Sequence, residues 1–194
     1  MTLISLIAIL IAVSIHEFAH AWVADRLGDP TPRLAGRLTL NPLAHLDFIG
    51  TLTLILIGFG WGKPVPIDPY NLRHPRRDQA LIALAGPTSN LIFAFGLSLL
   101  GHLLAWPLIK LLFSPLIIIN LSLAIFNLLP LYPLDGAKIL LGGLPFELAE
   151  EWEEILTSYS LPLLIISLLP LFRGRSLIDL FLSPLIHILL RLLL

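Results

Sequence analysis

The residues with the clearest potential for chemistry are two histidines and a glutamate in an apolar stretch near the N-terminus. His16, Glu17 and His20 form the run H-E-F-A-H. Histidines four positions apart lie one above the other on a single helix face, so they can bind one zinc ion together. The Glu17 carboxylate is one position along and can reach a water on that ion. Ionisable side chains are costly at membrane depth, and three of them in one apolar helix predict a functional site.

The two histidines also have a simpler interpretation, in which they hydrogen-bond neighbouring helices and hold a bundle together. That interpretation leaves Glu17 unexplained, because a carboxylate within an apolar helix is costly. We therefore favour a metal site.

A third ligand must come from elsewhere in the chain, because a catalytic zinc site usually has three protein ligands and one open position. The chain has no cysteine, so this ligand is a histidine or a carboxylate. Asp135 is the best candidate, since it follows an apolar span in the run N-L-L-P-L-Y-P-L-D-G, whose prolines and glycine break the helix. The weaker candidates lie outside the spans, near the opposite membrane face or in the C-terminal tract: His45, Asp47, Asp68, Asp78, His102 and His187.

Two asparagines accompany these motifs. Asn127 begins the run that ends at Asp135 and Gly136. Its amide can bind a substrate backbone or a developing oxyanion, or it can hydrogen-bond a neighbouring helix, and the sequence favours neither. Asn90 follows Gly86 and a proline in a second apolar stretch, where we predict a role mainly in helix packing.

The elements that must position these residues are helices in a lipid bilayer. Of the 194 residues, 57% are apolar and 13% charged, whereas a soluble domain has about 25% charged residues. The formal net charge of -1 provides no basic surface for nucleic acid. A helix that spans the bilayer needs about 20 mostly apolar residues. Four stretches come close, and the last can form two helices: 2 to 24, 80 to 106, 110 to 134 and 155 to 194.

Residues 25 to 79 have a different character, with many Pro, Gly and Arg residues and β-capable runs at 37 to 40 and 64 to 67. Within them, residues 48 to 60 are apolar but too few to cross as a helix. Positive charges flank this run on both sides, and positively charged loops face the cytoplasm. The sequence therefore predicts a re-entrant segment.

Together these patterns predict one membrane-embedded domain over residues 1 to 194, with a core at about 2 to 140 and a helical tract at 155 to 194. The predicted fold is all-α and polytopic, with about four to five transmembrane helices, the re-entrant segment and short β-strands near the cytoplasmic face. The distribution of positive charges predicts that the first helix crosses the membrane from the outside to the cytoplasm. Asp135 and the two histidines are then expected near the cytoplasmic side.

Further motifs follow H-E-F-A-H in order. They are G-D-P-T-P-R-L-A-G-R-L-T-L-N-P-L-A-H-L-D from Gly28, G-K-P-V-P-I from Gly62, G-P-T-S-N from Gly86, and the L-D-G around Asp135. Over about residues 10 to 140 the chain resembles the bacterial-type site-2 proteases, a family of intramembrane zinc metalloproteases.

The resemblance implies that His16, His20 and Asp135 bind one zinc ion per chain and that Glu17 is the general base for a zinc-activated water. It implies hydrolysis of peptide bonds in or near transmembrane segments of protein or peptide substrates, for signalling or for clearance of remnant peptides. It also implies a multi-pass protein of a bacterial cell membrane. We find no recognisable PDZ or CBS domain, so we expect substrate selection in the membrane core or by partner proteins.

Two other functions are consistent with parts of the pattern. A metal or ion transporter would use buried histidines and an aspartate, but it would need more polar residues in the spans. A catalytically inactive relative would bind membrane partners through the same fold, but the intact Glu17 argues against it.

Overall fold

Helices account for all the regular elements in the computed structural model, which describes residues 3–57, 60–104, 107–171 and 174–193. Two single-turn 3-10 helices are Pro42–Ala44 and Pro69–Asn71. The α-helices in these ranges are α1 (Leu3–Leu27), α2 (Thr31–Leu34), α3 (Phe48–Ile57), α4 (Pro75–Leu104), α5 (Pro107–Asn127), α6 (Asp135–Gly143), α7 (Phe146–Leu168) and α8 (Leu177–Leu193). The predicted all-α class is confirmed.

The centre of the molecule is α4, which packs against α1, α5 and α6. The face that α1 buries consists of small side chains, among them Ala12 and Ala21, together with His16 and His20. Small residues let helix backbones approach closely, which brings the histidines against α4. The helix ends at Gly28, whose positive φ of 110° suits a residue without a side chain.

Within the described ranges, two helices are long and apolar enough to cross a membrane by length and composition, namely α1 and α4. In α5, the apolar part over Leu111–Asn127 is shorter. The predicted number of four to five transmembrane helices is therefore not confirmed.

The segment between α1 and α4 is mostly irregular. Within the described residues its only β-type pairing is an isolated antiparallel bridge between Leu46 and Gly62. The strands predicted at 37 to 40 and 64 to 67 are not formed there. One reason is that Pro64 and Pro66 cannot donate to a ladder. The predicted re-entrant segment contains α3, and its residues 58 and 59 lie outside the described residues.

The C-terminal tract contains two helices, as the sequence allowed, but the first begins earlier than predicted. The acidic run from Glu147 to Glu154 and the apolar residues after it form the single helix α7. It packs on α6 through Ala137, Leu141 and Leu156. In α8, Leu193 reaches the core formed by α4 and α5.

Candidate metal centre

Both histidines of α1 are buried, and their hydrogen bonds determine which ring nitrogen is free. Nδ1 of His16 lies 2.7 Å from Oδ1 of Asn90, and Nδ1 of His20 lies 2.7 Å from the carbonyl oxygen of Ile82. An oxygen acceptor at Nδ1 requires a proton there, so a neutral ring has its lone pair at Nε2. Each Nε2 atom therefore carries a lone pair, and the two atoms point into the same space.

The third side chain of the site is Asp135, the first residue of α6. The chain leaves α5 through a proline-containing turn and starts α6 at Asp135, with Gly136 next. A Cβ at Gly136 would overlap the carbonyl oxygens of Leu128 and Leu129 at the end of α5. The glycine therefore allows the close approach that carries the Asp135 carboxylate beneath the histidines.

The three side chains fit a cation. Oδ2 of Asp135 lies 3.0 Å from Nε2 of His16 and 3.2 Å from Nε2 of His20. That oxygen is buried and has no hydrogen-bond partner among the described residues. One ligand atom from each residue lies within 4.8 Å of the other two. Two imidazole lone pairs and a carboxylate oxygen repel one another unless a positive charge lies among them, and this donor set is one that zinc prefers.

Gly86 on α4 forms the wall behind the imidazoles. A Cβ there would lie 2.5 Å from Cε1 and Nε2 of His20 and 2.6 Å from Cε1 of His16. Any side chain at this position must therefore displace the ligand rings. This requirement explains the glycine of the G-P-T-S-N motif.

Glu17 lies beside the three ligands, where two cavities meet. A mainly polar cavity of about 130 Å³ is lined by the three ligands and Lys138, and an apolar cavity of about 560 Å³ extends between α1, α3, α5 and α7. Glu17 and Asn127 line both cavities. A group at this junction can contact water on one side and an apolar ligand on the other.

The Glu17 carboxylate is held by the irregular segment before α4. Its Oε2 accepts a hydrogen bond of 3.2 Å from the backbone N–H of Val65. That stretch is itself fixed, because the backbone N–H of Lys63 donates to the carbonyl of buried His45 at 2.8 Å. The guanidinium of buried Arg37 also donates to the carbonyls of Ala44 and Lys63.

Several known proteins are similar to this chain. The family model of peptidase family M50 matches residues 101–168. YwhC of Bacillus subtilis, a proposed zinc metalloprotease by name, is 44% identical over an alignment of 144 positions that covers 69% of this chain and 66% of YwhC. A proposed zinc metalloprotease of Methanocaldococcus jannaschii is 33% identical over an alignment of 144 positions that covers 71% of this chain and 69% of the relative. Rip2 of Mycobacterium tuberculosis, with the same description, is 34% identical over an alignment of 136 positions that covers 66% of this chain and 52% of Rip2.

The chain belongs to peptidase family M50, the site-2 protease family. The aligned region spans about two thirds of YwhC and half of Rip2. No solved structure matches this M50 chain. Family membership and the two long apolar helices associate it with a membrane.

Two buried asparagines in this M50 protein support the site, Asn90 by direct contact with His16 and Asn120 through Asn90. Asn90 was predicted to serve packing, but its side chain bonds His16 directly. Asn120 of α5 was not considered, although an amide inside an apolar span is a signal that could have identified it. It accepts a hydrogen bond of 2.7 Å from Asn90. Asn127 donates to the carbonyl of Leu123 in its own helix at 3.0 Å while lining both cavities.

The weaker candidates for a third ligand have local structural roles in the M50 fold. Asp47 accepts from the backbone N–H of Gly50 at the start of α3, and Asp68 accepts from that of Tyr70. Asp78 accepts from His74 in the first turn of α4. His45 bonds the carbonyl of Thr39, and His102 that of Ser98. His187 lies on α8 and does not belong to the group of three ligands.

Asp29 forms a polar anchor where α1 ends. It is fully buried and accepts hydrogen bonds from the backbone of Thr31 at 3.0 Å, the backbone of Asp68 at 2.8 Å and the side chain of Asn71 at 3.0 Å. Burial by itself would raise the pKa of Asp29, but these hydrogen bonds to the charged form outweigh it and hold the pKa below the usual value. The anchor fixes the chain that leads from the site toward α4.

Proposed function

We propose that this protein is a zinc-dependent intramembrane metalloendopeptidase that hydrolyses peptide bonds in or near transmembrane segments of membrane proteins. The observation that carries the proposal is the convergence of Asp135 with both Nε2 atoms of His16 and His20 beside Glu17. M50 membership and the names of the similar proteins support the same activity.

His16, His20 and Asp135 would hold one zinc ion. Bound there, zinc would supply Lewis acidity to a water and to the peptide carbonyl. Glu17 accepts a proton from the attacking water and later donates it to the leaving amine. The hydrogen bond from Val65 orients the Glu17 carboxylate for both transfers.

Substrate would approach through the apolar cavity. Its volume of about 560 Å³ is in the range that bound ligands occupy, roughly 300–1,000 Å³. Water would reach Glu17 from the mainly polar cavity on the other side. Asn127 lies at the junction, where its amide would bind the backbone of the unwound substrate or the developing oxyanion.

For the membrane arrangement, we propose a multi-pass protein with four to five spans and the active site toward the cytoplasm. The ten residues of α3 are too few to cross a bilayer, and Phe48 is 83% exposed and Leu56 72% exposed. Positive charges lie on both sides of this helix, at Arg37 and Lys63. These features support a re-entrant or interfacial α3 on the cytoplasmic side.

The test is zinc content and proteolysis of a co-expressed membrane-anchored substrate by wild type and Glu17→Gln. We expect about one zinc per chain in both proteins, because Glu17 is not a ligand, and loss of cleavage only in the variant. Glu150→Gln, which makes the same change at an exposed position of α7, is the matched control and should cleave normally. Cleavage that survives Glu17→Gln, or wild type without zinc, would overturn the proposal.

A further inference from the structure

Asn90 and Asn120 lie in the middle of the helix bundle and are both fully buried. A buried amide without partners is destabilising, so the hydrogen bonds of both side chains have to be accounted for. Nδ2 of Asn90 donates to the carbonyl of Ala12 at 3.0 Å and to Oδ1 of Asn120 at 2.7 Å. Nδ2 of Asn120 donates to the carbonyl of Leu116 at 2.8 Å.

These partners fix the orientation of each amide. The carbonyls of Ala12 and Leu116 can only accept, so the NH₂ groups of Asn90 and Asn120 must point toward them. Oδ1 of Asn90 then faces His16, where it can only accept. The proton of the His16 ring is therefore required at Nδ1, and Nε2 is left for the ion.

We propose that Asn90 and Asn120 are positioning residues, forming a relay from α5 through α4 that holds the His16 ring in the Nδ1-protonated form and aims Nε2 at the metal. The inference rests on the metal site of the proposed function. Outer partners of metal-binding histidines typically change metal affinity by about 10–100-fold when removed.

The two histidines differ in how they are held. His20 bonds a backbone carbonyl, that of Ile82, which no substitution removes. His16 depends on side chains, and through Asn120 it depends on the placement of α5. The relay therefore links three helices to the orientation of one ligand.

Zinc affinity of the purified full chain, measured by competition with a chromophoric chelator, tests the relay. We expect Asn90→Leu to weaken zinc binding by about 10–100-fold and Asn120→Leu by about tenfold. Asn120→Asp keeps an oxygen acceptor for Asn90 and should retain most of the affinity. If Asn120→Leu does not fold, Asn120→Ala, which also removes the acceptor, takes its place.

Ser98→Ala is the matched control. Ser98 is a buried residue of α4, and its hydroxyl donates to the carbonyl of Leu193 in α8 at 2.6 Å. This variant removes an interhelical hydrogen bond from the same helix, at roughly 12 Å along its axis from Asn90. It should bind zinc as wild type does. An equal loss of affinity in Ser98→Ala and Asn120→Leu would show that the asparagines only pack helices, and it would overturn the relay.

A second measurement needs no metal. Nitrogen-15 spectra of the metal-free, histidine-labelled protein report which ring nitrogen carries the proton, and a His16→Gln variant assigns the His16 signals. We expect a protonated Nδ1 at His16 in wild type and a mixture of the two forms in Asn90→Leu. An unchanged pattern in Asn90→Leu would overturn the relay. Wild type that binds no zinc contradicts the proposed function, whereas wild type that binds zinc beside variants of equal affinity contradicts the relay alone.

Discussion

The four helices around the metal site and the C-terminal helix α7 are held in different ways. Between α1, α4, α5 and α6, buried polar side chains bond from helix to helix, as His16 does with Asn90 and His20 with Ile82. In α7, the hydroxyl of the buried residue Ser160 has no hydrogen-bond partner in the part of the chain that the structure describes, and the other buried residues there are Ala149, Leu156 and Leu164.

This contrast matters because hydrogen bonds are directional and apolar contacts are not. The site helices require defined positions, since a ligand ring has to face one point. The helix α7 contributes side chains such as Leu161 and Ile165 to the apolar cavity, where position is less restricted. We infer that the first group provides geometry and the second a wall that adapts to different substrates.

The largest expected effect is a difference between two aspartates, Asp135 of the site helices and Asp179 of α8. Asp135→Asn removes a charged ligand, so zinc affinity should fall by more than about 100-fold, and cleavage should fall with it. Asp179→Asn alters an aspartate of α8 that accepts from the backbone N–H of Ser176, and it should leave zinc affinity unchanged. Equal zinc binding by both variants would refute the role of Asp135. Chelator competition gives the measurement.

The next effect compares two glycines of α4. Gly86→Ala places a methyl group 2.5 Å from His20 and should lower zinc affinity by about tenfold or more, because the rings must move. Gly96→Ala has open space and should bind zinc normally, with a gain in helix stability of about 0.5–1 kcal/mol. Zinc titration and thermal unfolding distinguish them. Normal zinc binding by Gly86→Ala would contradict this prediction, because it would show that the imidazole rings can move aside without loss of affinity.

A smaller effect is expected where α7 lines the apolar cavity. Ile165 lines the apolar cavity and Ile166 does not, although their exposed fractions are similar at 53% and 48%. Ile165→Ala should change kcat/KM for individual substrates by about tenfold and alter their ranking, because apolar contacts with the substrate are lost. Ile166→Ala should not, and zinc affinity should stay constant in both. A set of substrate segments of different side-chain volume is the assay, and identical rankings for both variants would argue against α7 as the wall.

The smallest effect concerns the polar anchor at the end of α1. Because the pKa of Asp29 is lower in the folded than in the unfolded protein, its charge stabilises the fold above about pH 4, and this contribution disappears as the pH falls through the folded pKa. Asp29→Asn should therefore cost about 1 kcal/mol at neutral pH and progressively less in acid. Thermal unfolding from pH 3 to 7 measures the difference, and a difference independent of pH would contradict it.

The helical class and the family could be predicted from the sequence because their signals are local. The spacing of His16 and His20 and the long apolar runs are visible without any knowledge of contacts. The irregular segment was harder, since the bond from Val65 to Glu17 joins residues 48 positions apart. The expectation of strands there was wrong for the described residues, because prolines and buried side-chain bonds from Arg37 replace a ladder.

The ligand residues could be predicted from the sequence, but the residues that position them could not. The sequence favours Asp135 because it follows an apolar span among helix-breaking residues, and the structure places it against both histidines. Asn120 was overlooked because nothing near it in the sequence indicates which helix its amide meets. The clearance at Gly86 is likewise a property of two packed helices and not of one motif.

The position of Glu17 where two cavities meet has a consequence for how a cut would be chosen. Peptide and water would come together at this junction, and its position along the axis of α1 is fixed by the helix. Such an enzyme would select the cleaved bond by its depth in the membrane more than by the side chains around it. Sliding a substrate by one helical turn, about 5.4 Å, should then move the cleaved bond by three to four residues in the opposite direction.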